Sequence, residues 1–133
     1  MTQRTFTLAE ARALLPRLRV LLQTLRSERD TLLALQPQIN LARGRAEVDG
    51  GSPHGALYLE CAFRFTEALE VIESAGVVVK DLGAGLVDFP HEHDGRIVYL
   101  CWRRDEDELA HWHEVDDGFA GRQPIGENFE KAH

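Results

Sequence analysis

The sequence predicts an α+β protein: a long antiparallel two-helix hairpin followed by a small, mainly antiparallel sheet of three or four strands. Three observations lead to that class. An apolar seam at heptad spacing runs through the first quarter of the chain, a second stripe at helical spacing follows a polar, glycine-rich connection, and after Gly76 the period shortens to that of a strand. With 133 residues, one domain spanning 1–133 is expected, made of a helical hairpin at about 7–75, a β region at about 77–125 and a short tail at 126–133.

The first helix opens on a capping box. The Thr7 hydroxyl is placed to accept from the Glu10 amide while the Glu10 carboxylate reaches back. Leu8, Ala11, Leu15, Leu18, Leu22, Leu25, Arg29 and Leu32 then alternate at spacings of three and four, a seam interrupted by Arg29. Continued to about Gln36, the helix is expected to kink at Pro16 and stop before Pro37. Residues 42–55 form the connection, expected to be mobile. A second helix is expected from about Ala56 to Ala75, with Leu57, Cys61, Phe65, Ala68, Ile72 and Ala75 on one stripe and Gly76 as its stop. Neither stripe can be buried alone, so the helices should pair.

Four β candidates follow: 77–80, 86–89, 96–102 and 109–115. Asp94-Gly95 is a two-residue hairpin signal. It sets a register in which His93 faces Arg96, Phe89 faces Leu100 and Asp88 faces Cys101. Val87, Phe89, Val98, Leu100 and Trp102 then share the core face, and Asp88, Tyr99 and Cys101 the opposite one. The acidic run Asp105 to Glu108 falls in the next turn, and Gly118, Gly121 and Pro124 mark an irregular end segment.

Charge is unevenly divided. The net charge is −7, yet residues 1–45 carry eight arginines against Glu10, Glu28 and Asp30, a net of +5, which leaves −12 for the rest. Arg12, Arg19 and Arg26 recur every seven residues beside the first seam, and Glu60 and Glu67 do so on the second helix, followed by Glu70 and Glu73. Such flanking charges pair across helices or lie solvated. Without lysine clusters or interleaved aromatics, no nucleic-acid surface is expected. No apolar run is long enough for a membrane span and the first residues lack a secretory signal, so no membrane partner is expected. Two cysteines make no disulfide framework, which fits a cytoplasmic location.

Chemistry concentrates on the second sheet face. If the second hairpin pairs Cys101 with His111, then Asp88, Cys101, His111 and His113 converge there, a ligand set for zinc or another divalent transition metal. A one-residue change of register sends both histidines to the other side. Cys61, on a packed stripe, reads as core. His91 and His93 read as solvated residues of a hairpin tip, and His54 and His133 as loop and tail. The stretch Trp112–Pro124 packs an imidazole, three carboxylates, two glycines and a guanidinium into thirteen residues. There a carboxylate can set the tautomer of His113, and Arg122 can either clamp a small anionic ligand or pair internally with Glu114, Asp116 or Asp117.

Four segments in order, FTLAEARALLP at 6–16, VKDLGAGLVDFP at 79–90, VYLCWR at 98–103 and WHEVDDGFAGRQP at 112–124, resemble the small bacterial family DUF2203 across nearly the whole chain. The resemblance implies a bacterial, cytoplasmic protein and no assigned reaction. Its motifs fall on Asp81, Asp88, Cys101, Trp102, His113, Glu114, Asp116 and Arg122, whereas His91, His93 and His111 lie off them. It thereby points to Asp88, Cys101 and His113 as a metal set with Glu114 or Asp116 as a fourth partner.

The sequence therefore supports a small binding or enzymatic domain. Its metal candidates are Asp88, Cys101, His111, His113 and Asp116. Its catalytic candidates are His113 as general base, Glu114 or Asp116 as orienter and Arg122 as anion clamp. The competing class is an interaction module that dimerises through the helical hairpin. Substrate, metal identity, oligomeric state and the second register stay open.

Overall fold

The structure, a computed structural model, describes residues 4–43, 53–127 and 129. Two helices, α1 (Leu8–Arg43) and α2 (Pro53–Ser74), precede five strands: β1 (Val78–Asp81), β2 (Leu86–His93), β3 (Arg96–Arg103), β4 (His111–Glu114) and β5 (Gln123–Pro124). The sheet is antiparallel, in the order β1-β2-β3-β4-β5, one strand larger than the three or four expected. No helix among the described residues is long and apolar enough to cross a membrane.

The capping box forms as expected: the Thr7 amide donates to Glu10 Oε1 at 2.8 Å and the Glu10 amide to Thr7 Oγ1 at 3.0 Å. The helix does not stop before Pro37 but continues to Arg43. Each internal proline deprives the carbonyl four residues back of its donor. Those residues are Arg12 for Pro16 and Leu33 for Pro37, all four of them exposed, so the lost bonds fall on the solvent side. The second helix starts earlier than expected, with Pro53 in its first turn, where a missing N–H costs nothing. His54 thus belongs to that turn rather than to a loop. Most of the connection expected to be mobile, and His133, lie outside the described residues.

The core lies between the helical seam and one face of the sheet. Leu8, Ala11, Leu15, Leu18, Leu22 and Leu25 from α1 and Ala68 and Ile72 from α2 pack with Val87, Phe89, Val98, Leu100 and Trp102. Those five strand residues are fully buried and share a face, as the Asp94-Gly95 turn predicts. Both turn residues have positive φ, 50° and 77°, the conformation of a tight hairpin turn that follows the twist of its strands.

That tight turn corrects the reading of His91 and His93. Pairing continues to His93↔Arg96, so both histidines are strand residues on the core face, and both are buried. His91 Nδ1 sits 2.6 Å from the Phe6 carbonyl, and the Phe6 amide donates to the Pro90 carbonyl at 2.7 Å. The chain before α1 thus straps the end of β2, where β1 no longer pairs with it. The His93 ring stacks on Phe129 at 4.2 Å.

The arginines of α1 also have a different use from the one expected. Arg19 donates to the carbonyls of Arg104, Glu106 and Asp107 at 2.8–2.9 Å, and Arg12 to that of Leu109 at 3.2 Å. They hold the β3–β4 connection onto the helix. An ion pair that does join the helices is Arg64 with Glu28 at 3.0 Å.

Candidate metal centre

The second hairpin adopts the register on which the site depends: Cys101 pairs with His111 and Tyr99 with His113. Because Asp88 pairs with Cys101, the side chains of Asp88, Tyr99, Cys101, His111 and His113 emerge from the face opposite the core. Asp88, Cys101 and His113 come closest. One ligand atom from each lies within 4.8 Å of the others, and the residues are 1%, 1% and 2% exposed.

The geometry defines the protons. His113 Nδ1 is 2.7 Å from the Glu114 carbonyl oxygen, which only accepts, so Nδ1 carries a hydrogen. Nε2 faces Asp88 Oδ2 at 3.0 Å, a contact that itself requires a proton between the two atoms. Burial pushes the Asp88 carboxyl above its ordinary range against the opposing pull of His113. The Cys101 thiol is pushed up to about 12, first by burial and then by the charge of Asp88. The other Asp88 oxygen, Oδ1, is buried with no hydrogen-bond partner among the described residues.

The remaining candidates lie around this group rather than in it. His111 shares the face but is turned to Arg122, whose Nη2 is 2.8 Å from its Nδ1. Asp116 is exposed in the turn beyond β4 and is not one of the clustered ligands. Glu114 corrects the expected orienter role: adjacent strand residues alternate, so its carboxylate points away from His113 to a bidentate pair with Arg96 at 2.9 and 2.6 Å. Its backbone carbonyl, not its side chain, orients the imidazole.

Arg122 likewise meets none of the expected acids. Its Nη2 reaches both oxygens of Glu106 at 2.8 and 2.7 Å, so the intended anion clamp already holds an internal carboxylate. Glu106 is the residue that sequence reasoning missed. It also accepts the Arg103 amide at 2.7 Å, and its carbonyl accepts from Trp102 Nε1 at 3.1 Å. Within a run of four acids nothing distinguishes it. Asp81 accepts the Ala84 amide at 3.1 Å and shapes the β1–β2 turn. Cys61 is buried on α2 as expected, and both cysteines are free.

A helical hairpin laid on an antiparallel sheet, with a buried Asp-Cys-His cluster on the far face, defines the class of protein. The chain belongs to the family of uncharacterised conserved proteins DUF2203, whose family model matches residues 4–125. Comparison with curated proteins and with solved structures gave no match.

Proposed function

We propose that this chain is a small cytoplasmic bacterial protein that binds a divalent transition metal, with zinc the best match, through Asp88, Cys101 and His113. The observation that carries the reading is the convergence of a carboxylate, a thiol and an imidazole within 4.8 Å in a buried setting. One imidazole, one thiolate and one carboxylate are the donors that zinc prefers.

Two further features fit. The Glu114 carbonyl fixes the hydrogen of His113 on Nδ1 and leaves Nε2 as the donor, the outer-shell arrangement that metal-binding histidines use. Asp88 Oδ1, without a hydrogen-bond partner among the described residues, is a buried acceptor that a cation would satisfy. Charge also balances. The thiol proton and the proton between Asp88 and His113 leave as a dication enters, so the buried group has no net charge before or after.

The test is to add Zn(II) or Co(II) to chelator-treated protein in weak buffer. The expected result is one metal per chain, release of about two protons and, with Co(II), a thiolate charge-transfer band that Cys101→Ser removes. Absence of stoichiometric binding or of the band overturns the reading.

A second reading rests on a separate observation. Leu59 and Phe63, one turn apart on α2, are 70% and 69% exposed, and Leu33 at the same end of the hairpin is 64% exposed. We infer that a second copy covers this ridge in a symmetric dimer, the same residues meeting across a two-fold axis. Sedimentation should then give a dimer that Phe63→Glu dissociates; a strict monomer at high concentration overturns it.

A further inference from the structure

We infer that His111 is the fourth ligand of the proposed centre and exchanges Arg122 for the metal as the cation enters. This rests on the metal reading above and goes beyond it by completing the coordination sphere and naming what must let go.

Three donors fall one short of a closed zinc site. Zinc held by protein in a closed site takes four donors in a tetrahedron. The clustered group supplies three, and all three residues are at most 2% exposed, so a neighbouring side chain of this face is the donor that closes the site. His111 is placed for it. It stands directly across the ladder from Cys101, on the same face, at the separation where opposed side chains touch. Unlike the three clustered residues it has room to turn, its side chain being 36% exposed.

What holds His111 aside is specific. Its Nδ1 accepts from Arg122 Nη2 at 2.8 Å and lies 3.7 Å from Glu106 Oε2. A ring nitrogen has one lone pair, so Nδ1 cannot serve Arg122 and a cation together. Rotation of the ring towards Cys101 breaks that one contact and leaves Arg122 with both oxygens of Glu106. A neutral imidazole adds no charge, so the charge balance of the centre is kept. The Arg122–Glu106 pair is therefore a latch: it retains its own bond in either arrangement and competes with the metal only through His111.

Cobalt titration of the full chain tests this with three variants. His111→Ala should weaken Co(II) binding by roughly tenfold or more and reduce the intensity of the visible bands, because a four-coordinate cobalt centre absorbs far more strongly than one completed by solvent. Arg122→Gln should keep the four-coordinate spectrum and tighten binding, since the competing donor is gone. In nitrogen-15 spectra the His111 ring of the wild-type chain should shift on addition of Zn(II). Unchanged affinity and spectrum in His111→Ala overturn the inference while leaving the three-residue reading intact. So does a spectral change that follows Glu106→Gln instead. A wild-type chain without the thiolate band overturns both.

Discussion

His113 Nε2 and Asp88 Oδ2 lie 3.0 Å apart, and the two side chains are 3% and 2% exposed. Removing one partner of such a pair leaves the other buried without compensation. His113→Ala is expected to cost about 3 kcal/mol, read as a lower urea midpoint with an unchanged slope. Asp88→Asn is expected to cost clearly less, because an amide can donate to Nε2 in the place of the shared proton. Equal losses in the two variants would show that packing, not the proton, holds the pair together.

The β3–β4 connection is held mainly by one guanidinium of the first helix. Arg19 caps three carbonyls, of Arg104, Glu106 and Asp107, and its Cζ sits 5.0 Å from the centre of the Trp102 ring. Arg19→Met keeps much of the stem and loses the donors, leaving three carbonyls to find water. The expected loss is about 2 kcal/mol, measured by thermal unfolding. Arg19→Lys should recover only part of it, since an ammonium lacks the planar fork.

This dependence explains what the sequence made legible and what it hid. The Asp94-Gly95 dipeptide determined the β2–β3 register, and alternation then separated Phe89 and Leu100 from Asp88 and Cys101. The second hairpin carried no such signal. Its register follows from the nine residues between Trp102 and Trp112 only once Arg19 and Arg12 tie the connection to α1. The role of Glu106 was hidden for the same reason, since an acid in a polar turn reads as solvated until a distant Arg122 is brought beside it. The sequence alone misplaces His91 and His93, although the register puts them on the core face. The polar character of HEHD suggested a tip, whereas burial was decided by Phe6 and Phe129, from the two ends of the described chain.

Gly121 marks the closest backbone approach in the segment that carries Arg122. A Cβ built there would lie 2.4 Å from the Asp117 Cβ, so a side chain has to push the turn apart. Gly121→Ala is expected to destabilise by roughly 1–3 kcal/mol and to loosen the Arg122–Glu106 pair. Faster amide exchange at Arg122, Gln123 and Ile125 would report that loosening. Gly126→Ala, where nothing lies within 4 Å of the added carbon, is the control and should exchange normally.

The ion pair between the helices gives the molecule an acid-sensitive contact away from the sheet. The Arg64 side-chain hydrogen bond holds the Glu28 carboxyl below its ordinary range. A depressed carboxylate stabilises the fold above the pKa it has when unfolded, and that contribution disappears as pH falls through the lower, folded value. Arg64 is about half exposed, 48% for its side chain, so the contribution is limited to roughly 0.5 kcal/mol. Glu28→Gln should therefore be slightly less stable than the wild type near neutrality, with the two unfolding midpoints converging below the pH at which free glutamate titrates. Added salt should narrow the gap at neutral pH and leave the acid end unchanged. A gap that persists in acid would assign the loss to side-chain packing rather than to charge.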